Sequence, residues 1–154
     1  ITPDDEEANV KLEKAFKVLS VGAEIKSRVL SINGREIEIP KTAEGVAFST
    51  FKALCAKPLG PGDYLVLAER FHTVLMRGVP VMGPQNRNEA KRFVTLIDAL
   101  YEAKVNFICS AEANPAELYT EGDGTFEFER TVSRLIEMQS ADYIAMSHGI
   151  VGKK

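Results

Sequence analysis

Apolar residues recur with helical spacing at the start of the chain. Steps of three and four residues predict a helix over residues 1–20 with one buried face, formed by Ala8, Leu12, Ala15, Phe16 and Leu19. Thr2 can cap this helix, Pro3 suits its first turn, and Gly22 suits its end. The acidic run after Pro3 is therefore interpreted as a helix start, where negative charge complements the helix dipole.

Apolar and polar residues then alternate, which is typical of half-buried strands. Residues 24–32 and 35–40 flank Asn33-Gly34, a pair that favours a type I′ hairpin turn. Pro40 predicts the end of the pairing or an edge of the sheet. A third apolar run around Val46 completes a small antiparallel sheet over residues 24–48, with one face in solvent.

From residue 49 the pattern changes to alternating helices and strands. Ser49 is a candidate cap for a short helix ending at Cys55, and Asp63 for a helix ending near Phe71. Asn114-Pro115 predicts a helical turn, and residues 121–124 a loop. The remaining predicted elements are two strand runs at 73–76 and 79–82 around Arg77-Gly78, a helix at 88–104, a buried strand at 105–110 and a final helix at 126–145.

These elements predict an α/β protein in which a small antiparallel hairpin sheet accompanies a strand–helix–strand unit packed with helices. The parallel crossover formed by residues 73–82, 88–104 and 105–110 defines that unit. We predict one domain over residues 1–146, consisting of the 1–20 helix, the 24–48 hairpin sheet and a 49–146 α/β part. Residues 147–154 form a tail.

Composition narrows the class of protein. The 154 residues are 45% hydrophobic and 27% charged, with a net charge of −3, which excludes a disordered chain and a coiled coil. A pI near 5.5 argues against a nucleic-acid-binding protein. No apolar run reaches the ~20 residues of a membrane span. Cys55 and Cys109 have apolar flanks and are predicted to be buried free thiols, as in an intracellular protein.

Motifs of familiar catalytic sites are absent from the sequence. It contains no phosphate-binding loop, no dinucleotide-binding glycine motif and no zinc-protease motif. His72 is predicted to be structural, and a Cys–His nucleophile pair has only residue type in its favour. The loop at residues 121–124 lacks the ligand spacing of a calcium site. We predict no metal site in this chain.

Arginines on the last helix are the strongest candidates for binding chemistry. Arg130 and Arg134 are four residues apart, so both guanidinium groups lie on one face and can bind phosphate. The alternative is that they pair with Glu127, Glu129, Glu137 or a carboxylate elsewhere in the fold. Asp98 and Glu102, also four apart, are interpreted as part of a mixed-charge solvated face.

A series of short segments resembles a known family. The most specific is Ser-Arg-Leu-x-Glu-Met-Gln-Ser at residues 133–140. The others include Phe51-Lys-Ala-Leu-Cys55, Gly62-Asp-Tyr-Leu-Val-Leu-Ala68, Phe71-His-Thr-Val-Leu75, the helix at 88–102 and Ser110-Ala-Glu. Together they resemble the C-terminal part of the ZapE-type P-loop ATPases, AAA-like enzymes of bacterial cell division whose mitochondrial relatives include the lactation-elevated protein.

The resemblance implies a parent that hydrolyses ATP with magnesium, while this chain binds no cofactor and is inactive alone. The chain begins with Ile1 and resembles the last two-fifths of that parent, without its phosphate loop, Walker B motif and sensor. The segment from His72 to Glu112 is similar to a degenerate P-loop unit. Arg130 and Arg134, and secondarily Arg87 and Arg92, become candidate nucleotide-sensing residues.

The resemblance also implies partners and a location. The partners are the N-terminal ATPase half, further copies of the chain and, in bacteria, the tubulin-like division protein. The location is the bacterial cytoplasm or the inner-membrane periphery, or the mitochondrion in a eukaryote. Two alternatives remain open, a free-standing protein-binding module that uses the 24–48 hairpin sheet and, less favoured, a small enzyme that uses Cys109 or His72.

Overall fold

The computed structural model describes residues 6–32 and 35–138. The helices of this part are α1 (Glu6–Leu19), α2 (Phe51–Cys55), α3 (Pro61–Arg70), α4 (Arg87–Glu102) and α5 (Thr125–Glu137). The strands are β1 (Lys26–Ile32), β2 (Arg35–Ala43), β3 (Val46–Thr50), β4 (Thr73–Val79) and β5 (Asn106–Ala111). Single 3₁₀ turns at Pro84–Asn86 and Pro115–Glu117 precede α4 and α5.

One mixed sheet joins the two predicted parts of the protein. Its strand order is β1-β2-β3-β4-β5, antiparallel from β1 to β3 and parallel from β3 to β5. The hairpin is thus continuous with the strand–helix–strand unit, through parallel pairing of Val46 with Thr73 and of Thr50 with Arg77. The predicted α/β class is confirmed, as is the parallel pairing of β4 and β5.

The two faces of the sheet carry separate hydrophobic clusters. The larger cluster lies under α2 to α5 and includes the fully buried Phe93, Leu96 and Leu100 of α4. The smaller cluster lies under α1, where Leu12 and Phe16 pack on the sheet. Because both faces of β4 are covered, Val74, Leu75 and Met76 are all fully buried, as expected of a central parallel strand.

Pro40 does not end a strand or mark an edge, so that prediction was wrong. Strand β2 continues to Ala43 and lies between β1 and β3. The pairing shifts where Lys26 opposes Thr42 but Arg28 opposes Ile39, which places the extra residue in the β2 segment that contains Pro40. A proline has no N–H to donate, and such a bulge accommodates it inside a sheet.

Three other local predictions need correction. Thr50, not Ser49, caps α2, since its Oγ1 accepts a hydrogen bond from the Ala53 N–H, while Ser49 is buried in β3. Asp63 lies inside the first turn of α3 and its carboxylate accepts from the Gly60 N–H, so Gly60 is the cap residue. The run at 73–76 continues through Gly78 as one strand, β4, which ends at Val79, so the second predicted run at 79–82 contributes only its first residue to a strand.

Some predictions fall on residues that the structure does not describe. These are the Thr2 and Pro3 helix start, the Asn33-Gly34 turn, residues 139–145 of the final helix and the 147–154 tail. The predicted strands on both sides of Asn33-Gly34 do pair in the antiparallel sense. The buried face of α1 is also confirmed at Ala8, Leu12 and Phe16.

Candidate functional site

Helices α4 and α5 pack side by side and bring the predicted arginines against two acidic residues. The apolar face of α4 places Phe93 against Phe128 of α5, with ring centroids 6.1 Å apart. Beyond that contact, Asp98 and Glu102 of α4 face Arg130 and Arg134 of α5. Both pairs have the four-residue spacing that aligns side chains on one helix face.

Asp98 is the shared acceptor of this charged cluster. Its Oδ1 accepts a hydrogen bond from Arg134 Nη1, and its Oδ2 accepts one of 3.1 Å from Arg130 Nη2. Arg134 Nη2 also lies 3.5 Å from Glu102 Oε2. The side chain of Arg134 is 20% exposed and that of Arg130 is 53% exposed. Arg134 is therefore the more deeply held of the two arginines.

An aromatic ring completes the cluster. The guanidinium of Arg134 lies 4.6 Å from the centroid of the Tyr101 ring, a distance typical of a cation–π contact. The Tyr101 hydroxyl donates a hydrogen bond of 2.8 Å to Glu137 Oε1. This bond to a carboxylate raises the pKa of Tyr101. The cluster thus fixes α5 on α4 through the contacts of Arg134 with Asp98 and Tyr101 and the hydrogen bond of Tyr101 to Glu137.

Asp98 and Glu102 are the partners of Arg130 and Arg134 that the sequence left unidentified. Of the two alternatives, a glutamate of α5 or a carboxylate elsewhere in the fold, the second is confirmed, since both arginines contact acidic residues of α4. Asp98 was interpreted as part of a solvated face, but its side chain is only 32% exposed and bridges two helices. The only signal was the matching four-residue spacing on both helices, which does not reveal that they are neighbours.

The other two candidate arginines lie elsewhere. Arg92 Nη1 donates a hydrogen bond of 3.0 Å to the carbonyl oxygen of Cys55, which ties α4 to the end of α2. Arg87 lies at the start of α4 and is 64% exposed, with Nη1 3.6 Å from Asp123 Oδ2. It borders a cleft of about 450 Å³ between the first turns of α4 and α5, which also contains Lys91, Tyr119 and Phe128.

His72 and Cys55 occupy structural positions. His72 Nδ1 is 2.9 Å from Thr73 Oγ1, and its Nε2 is 3.1 Å from the carbonyl oxygen of Glu44. Both ring nitrogens are thereby engaged at the turn between β2 and β3. Cys55 is a buried free thiol, and burial raises its pKa, which disfavours the reactive thiolate. Cys109 is also a free thiol, but it is only half-buried.

The described residues, 6–32 and 35–138, offer neither a metal-binding cluster nor a membrane-spanning helix. In that part of the chain no group of three or more His, Cys, Asp or Glu side chains is placed to hold a metal ion. Since the sequence also has no phosphate-binding loop, these residues do not fit magnesium-bound ATP in the manner of a P-loop. None of the described helices is long and apolar enough to cross a membrane.

A second group of cations has no signature in the sequence pattern and is brought together only by the fold. Lys14 and Lys17 of α1 and Arg77 of β4 border one groove of about 420 Å³ on the α1 face of the sheet. Arg77 is 60 or more positions from the lysines in the chain. Spacing within one helix can therefore align the two lysines, but no local pattern brings Arg77 to them.

Comparison with known proteins relates nearly the whole chain to one family. The family of AFG1-like ATPases matches residues 1–147. Cell division protein ZapE of Escherichia coli K12 is 34% identical over 148 residues, which are 96% of this chain and 40% of ZapE. Lactation elevated protein 1 homolog B of Danio rerio is 35% identical over 175 aligned positions, covering 92% of this chain and 34% of the relative.

The extent of these matches defines what is shared. The chain spans about two-fifths of the length of ZapE, in its C-terminal part. No solved structure matches the chain. The resemblance found in the sequence is confirmed, and the chain belongs to the family of AFG1-like ATPases.

Proposed function

We propose that this chain is a non-catalytic domain of an AFG1-like ATPase, which supplies contacts to the rest of that protein and an arginine toward nucleotide bound there. One observation carries the proposal. The family match extends over residues 1–147, yet the sequence contains no phosphate-binding loop. A member of an ATPase family without that loop depends on other residues for hydrolysis, and its own role is then one of support.

Exposure and contacts separate the four candidate arginines. Arg134 and Arg92 are held by contacts within the domain, to Asp98 and to the Cys55 carbonyl. Arg130 keeps a half-exposed side chain with one ion pair, and Arg87 is more exposed still. An arginine that stabilises charge on a transferring phosphoryl group must reach out of its own domain. Arg130 and Arg87 are therefore the two candidates that can reach nucleotide outside this domain.

The first experiment measures phosphate release by the 154-residue chain supplied with ATP and magnesium. No turnover above the protein-free rate is expected, because no phosphate-binding loop is present. Turnover that a substitution within this chain abolishes would contradict the non-catalytic role.

The second experiment uses a chimera in which this chain replaces the matching part of E. coli ZapE. We expect Arg130→Ala to lower its ATPase rate by on the order of 10³-fold, the lower end of what a phosphate-facing arginine contributes. The control is Arg70→Ala, an exposed arginine at the end of α3 that carries no proposed role. An unchanged rate in both Arg130→Ala and Arg87→Ala, with the fold intact by circular dichroism, would remove the arginine role.

Cofactors, partners and location follow from the same proposal. ATP and magnesium would bind to the rest of the ATPase, and this chain would contact that part and further copies of itself. The name of the E. coli relative indicates cell division, so the tubulin-like division protein is the partner to test in a bacterial cytoplasm. A protein of eukaryotic origin would be tested in the mitochondrion.

The hairpin-sheet binding module is the less favoured function. Strand β1 lies at the end of the sheet and begins at a pairing irregularity between Lys26 and Arg28. Bulges and basic side chains are devices that discourage the addition of another strand to an edge. A binding module built on the hairpin sheet also explains neither the match to an ATPase family nor the charged cluster between α4 and α5.

A further inference from the structure

The groove on the α1 face of the sheet concentrates positive charge. It lies between α1 and the carboxyl end of β4, has a volume of about 420 Å³, and is bordered by Asn9, Val10, Glu13, Lys14, Lys17 and Arg77. A volume of this size lies within the range of small-molecule sites. Three of the six described side chains that border it are cationic.

The backbone of β4 presents Arg77 to this groove. The pairing of β4 with β5 is regular up to Met76 and shifts before Val79. Within that irregularity Gly78 has a φ of +80°, and its N–H donates a hydrogen bond of 3.1 Å to Ser110 Oγ. A glycine is suited to this φ, since other residues adopt it only with strain. The bulge therefore redirects the chain directly after Arg77.

The position of Arg77 in the sheet is also informative. Strand β4 is the central one of the three parallel strands, and Arg77 lies near its carboxyl end. Open α/β sheets bind their ligands outside the carboxyl ends of parallel strands. Alternation along the strand places Arg77 on the same face as Leu75, which packs under α1. Helix α1 thus adds its lysines beside an arginine at a common ligand-binding position.

The charges of the groove are available for a ligand. Among the described residues that border it, the one carboxylate is that of Glu13, which accepts hydrogen bonds of 2.9 and 3.0 Å from Lys41 Nζ and is neutralised there. By contrast, the side chains of Lys14, Lys17 and Arg77 have no hydrogen-bond or ion-pair partner among residues 6–32 and 35–138. Three exposed cations around one concave surface attract an anion that carries several charges.

We propose that this groove binds a polyphosphate chain through Arg77, Lys14 and Lys17. A guanidinium matches the geometry of phosphate oxygens in a bidentate manner, and ammonium groups bind them as point charges. Two adjacent phosphoryl groups would satisfy all three cations, whereas a single carboxylate would not. The ligand is either free polyphosphate or the polyphosphate of a nucleotide. This site is separate from the arginines of the α4–α5 region and does not rest on the proposed function.

The experiment titrates the 154-residue chain with pyrophosphate by isothermal calorimetry. We expect saturable binding with one site per chain, and affinity that falls as salt is raised. Arg77→Ala and the double variant Lys14→Ala/Lys17→Ala should each weaken binding at least tenfold, and Arg77→Lys by less. The matched control is Lys52→Ala/Lys57→Ala, which removes two exposed lysines outside the groove and should change the affinity less than twofold.

Further titrations with ADP and adenosine identify the source of the phosphates. ADP binding tighter than pyrophosphate supports a nucleotide, and equal affinities support free polyphosphate. Absence of saturable pyrophosphate binding at low salt would overturn the proposal. Equal loss of affinity in the control variant, or adenosine binding as tightly as ADP, would overturn it as well, because recognition would then not depend on phosphate at these three cations.

Discussion

The two faces of the sheet use their cations in opposite ways. On the α4–α5 side, Asp98 binds two arginines and an aromatic ring lies against one of them. On the α1 side, Lys14, Lys17 and Arg77 border one groove without a partner among the described residues. Cationic side chains therefore fix two helices to each other on one side of the sheet and remain available for a ligand on the other. The difference lies in whether a carboxylate from a second element reaches them.

The largest expected change in stability comes from substitutions in the two hydrophobic clusters, one on each face of the sheet. Phe93 is fully buried and packs its ring against Phe51, Phe107 and Phe128, at centroid distances of 5.9, 6.4 and 6.1 Å. Phe93→Ala should lower the free energy of unfolding by about 3–5 kcal/mol, since it removes a large side chain that the site cannot refill. Urea denaturation followed by circular dichroism measures this change.

The matched variant on the other face is Phe16→Ala, which removes an edge-to-face contact with Phe48 at 5.6 Å. We expect a smaller loss of stability that is concentrated in α1, because α1 covers the smaller cluster. Hydrogen exchange should then accelerate in α1 more than in α4. Equal acceleration in both helices would show that the two faces unfold as one unit and would remove this part of the comparison.

The second test removes the acceptor that distinguishes the α4–α5 side. Asp98→Ala leaves the guanidinium of Arg134, only 20% exposed, without its main partner. The expected loss is about 2 kcal/mol, within the range for a hydrogen-bonded charged group that is partly exposed. Glu69→Ala, an exposed carboxylate on α3, should stay within about 0.5 kcal/mol of the wild type. A loss as small for Asp98→Ala would mean that the cluster does not stabilise the helix pair.

The third test uses pH to examine burial on the α2–α5 side. Burial raises the pKa of the Cys55 thiol and of the Tyr64 hydroxyl, which donates to the Leu54 carbonyl oxygen. The folded chain keeps these protons at pH values where the unfolded chain loses them, so stability falls as pH rises above about 8.5, the ordinary thiol pKa. The loss should be about 1 kcal/mol between pH 8.5 and 9.5, measured by urea denaturation.

A cysteine variant separates the two groups. Cys55→Ala should reduce the dependence of stability on pH between 8.5 and 9.5, because of these two groups it is mainly the thiol that titrates in this range in the unfolded chain. The remaining dependence at higher pH would belong to Tyr64. An unchanged slope in Cys55→Ala would contradict the assignment of this effect to the buried thiol.

Local patterns predicted the elements of the fold better than its contacts. The buried stripe of α1, the paired strands around Asn33-Gly34 and the parallel pairing of β4 with β5 all follow from periodicity and turn residues. Pro40 was misjudged because a bulge in the neighbouring pairing accommodates it. The predicted cap of α2 was wrong by one residue. Ser49 and Thr50 both carry a hydroxyl that can cap a helix, and the choice between them depends on where β3 ends, which is at Thr50.

Long-range contacts limited what could be said of the sites. Arg130 and Arg134 were identified from their spacing, but Asp98 lies more than 30 positions away and joins them only because Phe93 packs on Phe128. The groove was missed for the same reason, since Arg77 reaches the lysines through the position of β4 under α1. Spacing along one helix predicts which side chains share a face, and the packing of the helices decides what that face meets.

The smallest expected effect concerns the stability of variants that lack the groove lysines, Lys14 and Lys17. The double variant Lys14→Ala/Lys17→Ala should change the free energy of unfolding by less than about 0.5 kcal/mol, because neither lysine has a described partner to lose. Lys41→Ala on the same face should cost more, about 1 kcal/mol, since Lys41 binds Glu13 and lies 5.4 Å from the Phe48 ring centroid. The Lys41→Ala variant would also leave the Glu13 carboxylate unpaired beside the groove. The affinity of this variant for pyrophosphate should therefore fall, although none of the three groove cations is removed. A double variant that destabilised the chain more than Lys41→Ala would show that these lysines serve the fold and not a ligand.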